Sequence, residues 1–235
     1  MLYKQLIFDV DDTLIDFQDT EKTVLTRLFA QEGWPLTAKA FQDYHDYNQS
    51  LWRQLEKDEI TIDQLFQRRF TVFAEREWGI NIDGDRANRL FHFFWGQTHK
   101  LLPGVRAILK TAKDLGYELG VLSNGDEAEQ VQRLQLAGIA DDFSCIMTSQ
   151  AAGFSKPDPR IFDVFFKKSG FDPEKTVMIG DGLPSDILGA NNYKLTSVWY
   201  NYRQNQPDPT IKADYTITDY SQLADLLVKW RQGVR

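Results

Sequence analysis

One cysteine, Cys145, in 235 residues excludes an internal disulfide framework. It lies in the apolar segment Phe143-Ser144-Cys145-Ile146-Met147 with no adjacent basic residue, and reads as core packing rather than a reactive thiol. Histidine is scarce as well: His45, His92 and His99 have no metal-ligand spacing and read as structural or solvated. No apolar run reaches the length of a membrane span, and the N-terminus has no apolar signal segment, so a soluble cytoplasmic protein is expected. Positive charge is in deficit, with 27 Lys and Arg against 34 Asp and Glu and a formal charge of −7. That balance argues against nucleic-acid polymers and anionic membranes as partners. A small anionic substrate stays open, because cations gathered at one site outweigh the net figure.

What is present is an alternation of two periods. Short apolar runs at 4–10, 117–122, 143–147, 176–179 and 196–199, with a weaker one at 214–217, read as strands. Helical stretches fall between them near 104–115, 126–137, 158–169 and 184–193, and a last one near 221–231 carries Leu223, Leu226, Leu227 and Trp230 on one face. Strands alternating with helices predict an α/β fold, a parallel sheet with helices on both faces. Residues 16–100 break this pattern with amphipathic helical runs alone, such as Val24, Leu25, Leu28, Phe29 and Ile62, Leu65, Phe66, Phe70, Phe73. An all-helical insert after the first strand is expected, giving a core of 1–15 and 101–235 and a helical domain of 16–100.

The polar residues cluster where strands end. Asp9-Val10-Asp11-Asp12-Thr13 follows Leu6-Ile7-Phe8, Ser123-Asn124-Gly125 follows 117–122, Lys156 follows 143–147, and Gly180-Asp181 through Asp186 follows 176–179. In open α/β sheets ligands bind beyond the carboxyl ends of strands. Grouped carboxylates imply a cation, a protonated member, or both. The residue types suit phosphoryl transfer. Asp9 can attack phosphorus, and Asp11 can serve as acid and then base. Asp9, Asp181 and a backbone carbonyl near Asp11 can hold Mg²⁺, with Asp186 bound directly or through water. Ser123 and neighbouring N–H groups, including that of Asn124, can hold phosphoryl oxygens, while Lys156 offsets the anionic crowding.

Taken singly, each of these segments is an ordinary turn or helix cap; together they resemble the four motifs of the haloacid dehalogenase-like hydrolase superfamily. The resemblance runs over nearly the whole chain. It implies a Rossmann-like core with a helical cap domain, Asp9 as nucleophile, Asp11 as general acid/base, and Mg²⁺ held by Asp9, the Asp11 carbonyl and Asp181. Relatives often carry Gly at the turn where this chain has Lys194, and a lysine at positive φ there would cost about 1 kcal/mol or more.

Asp11 favours phosphate-ester chemistry over dehalogenation, because a departing halide needs no proton. Phosphonatases of the superfamily use a cap lysine; Lys22, Lys39 and Lys57 exist, but nothing marks one as desolvated. The segment Val198-Trp199-Tyr200-Asn201-Tyr202 resembles the Trp-x-Asn segment of bacterial 5′-nucleotidases in this superfamily, including pyrimidine-preferring ones. The aromatic-rich insert, with Trp34, Trp52, Trp78, Trp95 and several phenylalanines, is expected to be mostly packing, with one or two rings able to stack on a base. A nucleoside 5′-monophosphate phosphatase, monomeric or homodimeric, is the leading expectation. A sugar-phosphate phosphatase or phosphomutase, and a non-catalytic phospho-ligand sensor, are the alternatives.

Overall fold

The computed structural model describes residues 1–56 and 59–234, so Lys57 lies outside it. The chain divides into two compact units, residues 1–17 with 99–234 and residues 18–98. The first contains β1 (Gln5–Phe8), α5 (Val105–Asp114), β2 (Glu118–Ser123), α6 (Glu127–Leu136), β3 (Cys145–Thr148), the single turn α7 (Ser149–Ala152), α8 (Pro159–Ser169), β4 (Thr176–Gly180), α9 (Leu188–Tyr193), β5 (Thr196–Tyr200), β6 (Tyr215–Ile217) and α10 (Tyr220–Arg231). The second contains most of α1 (Phe17–Glu32), then α2 (Ala38–Glu56), α3 (Ile62–Trp78) and α4 (Gly84–Trp95).

The six strands form one parallel sheet in the order β3-β2-β1-β4-β5-β6. Side chains alternate between its faces along each strand. Leu6, Phe8, Leu119, Val121, Val177 and Ile179 point to one face and join Val105, Ile108, Leu109 and Ala112 of α5 and Leu223, Leu227 and Trp230 of α10. Ile7, Leu122 and Met178 point to the other and meet Ile161, Phe162, Phe165 and Phe166 of α8. Each fully buried Leu, Ile, Val or Phe contributes about 1.5–3 kcal/mol by leaving water. Cys145 is buried in this second layer, where burial pushes its thiol pKa up. Chain order reverses at β1, which is hydrogen-bonded to both β2 and β4, so the crevice expected for a ligand lies at the carboxyl end of β1.

In the helical unit, α3 begins with a capping box: Thr61 Oγ1 accepts from Gln64 N–H, and Gln64 Oε1 accepts from Thr61 N–H. Phe29, Phe73, Trp34 and Trp78 pack ring against ring, as do Tyr44 with Phe70 and Phe91 with Trp95. Arg69 is buried among Phe66, Phe70 and Phe91 and donates to Asn88. His92 Nε2 lies 3.1 Å from that guanidinium, and His45 pairs with the buried Glu21. Phe93 differs from its neighbours, with 62% of its surface exposed. Among the described residues no helix is long and apolar enough to cross a membrane.

Two local features depart from regular helix. The stretch expected as one helix at 184–193 opens with a wide turn, Leu183–Ile187, before α9 begins. Ile187 N–H reaches back five residues to the Gly182 carbonyl, a π-type turn of the sort often found at functional sites. Its physical basis is Asp186, whose Oδ2 accepts from Gly182 N–H at 2.9 Å and draws the turn inward. The second feature is Lys194, which ends α9 in the left-handed region at φ 62°. Lys194→Gly is expected to stabilise the protein by about 0.5–1 kcal/mol in urea unfolding. A destabilised variant would show that the lysine side chain outweighs its backbone strain.

Candidate active site

Loop residues 9–15 are shaped by one carbonyl. Val10 C=O accepts from the N–H groups of Thr13, Leu14 and Ile15, folding the segment into a single turn just beyond β1. Asp9 N–H still bonds to Ile179 C=O of β4 at 2.9 Å, so the Asp9 side chain leaves directly from the sheet edge. The Thr13 hydroxyl accepts from Asp181 N–H at 3.1 Å, and Trp199 Nε1 donates to Asp181 C=O at 2.8 Å. Both sides of the Asp181 backbone are thus held, one by the turn beyond β1 and the other by β5.

Asp9, Asp181 and Asp186 converge, each offering a carboxylate oxygen within 4.8 Å of the others. Lys156, fully buried in the loop between α7 and α8, lies among them. Its ammonium donates to Asp9 Oδ1 at 2.7 Å, Asp186 Oδ1 at 2.6 Å and Leu122 C=O at 2.6 Å. Gly180 makes room for this arrangement, since a Cβ there would occupy the place of the Asp186 carboxylate. Asn124 fixes the lysine from behind: its Oδ1 accepts from Lys156 N–H at 2.7 Å and its Nδ2 donates to Lys156 C=O at 2.8 Å. The Asn124 side chain thus uses its carbonyl oxygen and one of its N–H groups on Lys156.

The electrostatics show a cluster short of positive charge. Burial, then Asp186, raises the Asp9 carboxyl to about 7 against the pull of Lys156. Burial, then Asp186 and Asp9, holds the Asp181 carboxyl well above its ordinary range. For Lys156 burial pulls the ammonium down, but Asp186 and Asp9 outweigh it and hold it above its usual value. Three carboxylates against one ammonium, all hard oxygen donors in a small space, fit a divalent cation such as Mg²⁺.

A pH dependence follows for the metal-free protein. Asp9 keeps its proton to about pH 7 when folded, but in the unfolded chain it ionises near its ordinary value of 3.8. The folded state binds more protons between those values, so stability falls as pH rises through that window, by up to about 4 kcal/mol. Mg²⁺ is expected to restore most of it. Thermal unfolding at pH 5 and pH 8 in chelator, beside Asp9→Asn, measures this. A gap between wild type and variant that does not change with pH would contradict it.

The other two acids of the first loop do not share this cluster, so the expected grouping of Asp9, Asp11 and Asp12 is corrected. Asp12 has φ 57° and turns to a separate network. Its Oδ1 accepts from Phe17 N–H, Tyr202 Oη and Arg203 Nη2 at 2.8–2.9 Å, and its Oδ2 accepts from Arg203 Nε at 3.0 Å. Asp11 turns toward α6, where Gln130 Nε2 donates to Oδ2 at 2.8 Å and Arg133 Nη1 lies 2.8 Å from Oδ1. Ser123, buried at the end of β2, accepts from the same Gln130 amide at 3.1 Å. Tyr202 is named in the sequence only within the Trp-x-Asn-like segment, and Gln130, Arg133 and Arg203 are residues that sequence reasoning misses. Their only signal there is the polar pair 130 and 133 on a helix face that also carries Leu134 and Ala137. Cations of helices and loops are usually solvated, so that signal is weak.

Residues 3–193 match the family model described as haloacid dehalogenase-like hydrolase. The chain belongs to that family and is an enzyme of the hydrolase class. It is 32% identical over 231 residues to the pyrimidine 5′-nucleotidase PynA of Streptococcus pneumoniae, covering 97% of each chain. It is also 32% identical over 230 residues to the pyrimidine 5′-nucleotidase YjjG of Escherichia coli, covering 97% of this chain and 100% of that one. A solved structure of the HAD-hydrolase YfnB of Bacillus subtilis, bound to magnesium, superposes with a TM-score of 0.92 at 32% identity, over 97% of this chain and 99% of that one.

Proposed function

We propose that this chain is a Mg²⁺-dependent phosphomonoester hydrolase that works through an aspartyl phosphate on Asp9, with pyrimidine nucleoside 5′-monophosphates as its substrates. The observation that carries the reading is the Lys156 ammonium joined to both Asp9 and Asp186, with Asp181 beside them, at the carboxyl end of β1 and β4. Substrate choice is supported by the likeness to the two pyrimidine 5′-nucleotidases over nearly the full chain.

Lys156 sets the plane of the Asp9 carboxylate by holding Oδ1. An Asp9 oxygen attacks phosphorus, a new O–P bond forms, and the ester P–O bond breaks. Asp11 gives its proton to the departing ester oxygen. A water then attacks phosphorus, Asp11 takes the water proton, and the Asp9–phosphorus bond breaks to release phosphate. Ser123 and neighbouring backbone N–H groups hold the phosphoryl oxygens. Asp9, Asp181, Asp186 and the Asp11 carbonyl are the groups that would hold Mg²⁺, which when bound neutralises phosphoryl charge.

The test is phosphate release from nucleoside monophosphates, sugar phosphates and p-nitrophenyl phosphate, with Mg²⁺ or chelator. Pyrimidine nucleotides are expected to give the highest kcat/KM, with no release in chelator. Equal or better turnover of sugar phosphates would overturn the substrate assignment. Phosphate release that persists in chelator would overturn the metal dependence.

A further inference from the structure

The loop-1 acid Asp11 and the phosphate-binding candidate Ser123 are 112 positions apart in sequence, yet one side chain touches both. Gln130 Nε2 donates to Asp11 Oδ2 at 2.8 Å and to Ser123 Oγ at 3.1 Å. An amide can be turned either way round, and what fixes this one is Arg133. Its Nη1 donates to Gln130 Oε1 at 2.9 Å, and a guanidinium has no acceptor, so the amide oxygen must face the arginine. The NH₂ group is then directed at Asp11 and Ser123.

Three further observations make this more than casual packing. Gln130 and Arg133 are both buried on α6, a place where apolar side chains cost less than a cation. A Cβ at Gly125 would meet Gln130 Nε2 at 2.8 Å, so the glycine of the turn after β2 leaves the path by which the amide reaches both targets. Finally, the buried Asp11 Oδ1 lies 2.8 Å from Arg133 Nη1 while Oδ2 accepts from Gln130, so both oxygens of the acid face these two side chains of α6. Ser123, by accepting from Gln130, keeps its own hydroxyl proton to donate to a phosphoryl oxygen.

We infer that Gln130 and Arg133 are positioning residues: Arg133 orients the Gln130 amide, and the amide sets both the place of the Asp11 carboxylate and the donor direction of the Ser123 hydroxyl. This rests on the phosphatase reading above. It assigns the two residues to the step in which the leaving oxygen is protonated and the phosphoryl group is held.

The experiment is a pair of double-mutant cycles, Gln130→Met with Asp11→Asn and Gln130→Met with Ser123→Ala, read as kcat/KM on a nucleoside monophosphate in Mg²⁺. Gln130→Met alone is expected to lose about 10- to 100-fold, as misplacing an essential group by about an ångström does. Its effect should shrink to a fewfold in either partner's absence, because groups that act as a unit are not additive. Thermal unfolding monitors folding, and if the methionine variant does not fold, Arg133→Lys, which keeps the buried positive charge but loses the guanidinium contact that orients the amide, is put through the same cycles. Fully additive losses in both cycles, with Asp9 still essential, would overturn this inference alone. Undiminished turnover in Asp9→Asn would instead overturn the phosphatase reading, and this inference with it.

Discussion

Asp9→Asn is expected to lower kcat for phosphate release by at least about 10⁴-fold, as removal of an activated nucleophile does. The same change should make the metal-free protein more stable above pH 7. Asn is nearly isosteric with Asp, and its amide oxygen can still accept from the Lys156 ammonium that now meets Asp9 Oδ1. What it removes is one of three crowded carboxylates, the one whose pKa burial and Asp186 raise to about 7. Loss of activity with a raised Tm in chelator separates a chemical role from a structural one. A variant that is both active and unchanged in stability would end the case for Asp9 as nucleophile and for the crowding.

Lys156→Met is expected to be the most destabilising single change at the site. The ammonium is fully buried and reaches Asp9, Asp186 and the Leu122 carbonyl at once. Removing one partner from a buried ion pair leaves the other charges uncompensated, which costs about 3–5 kcal/mol. Mg²⁺ adds positive charge to the same carboxylates, so the deficit should be smaller in Mg²⁺ than in chelator. Urea unfolding in both conditions measures it. A deficit below about 1 kcal/mol in chelator would mean the lysine is not the balancing charge. Lys156→Met should also lack phosphatase activity, since Asp9 would lose its orienting partner.

The layered sheet could be read from the chain because burial leaves a local trace. Residues 4–10, 117–122 and 176–179 are short and apolar enough to be strands, and the structure makes them neighbours in the centre of the sheet. The i, i+3, i+4 pattern at 223–230 likewise became α10. The stretch at 184–193 misled, because its apolar spacing gives no hint that Asp186 draws the first turn inward toward Gly182 and Lys156. Lys194 is marked as a strained turn position by the family resemblance alone, and it does take a positive φ.

The site divides in the same way. That Asp9, Ser123 and Asp181 stand at strand ends follows from where the apolar runs stop. Which acids face one another does not. Asp9, Asp11 and Asp12 are nearly adjacent in the chain but have three different sets of partners. Asp9 meets Lys156 and Asp186, Asp11 meets Gln130 and Arg133, and Asp12 meets Tyr202 and Arg203.

The sequence by itself determined the layers, the rim on which polar groups collect, and the residue types available for phosphoryl chemistry, because hydrophobic period and strand length are properties of neighbouring residues. Only the tertiary structure decided what each acid can do. A carboxylate's charge and direction are set by the groups within about 3 Å of it, and for Asp11 and Asp12 those groups lie 119 and 190 positions away along the chain.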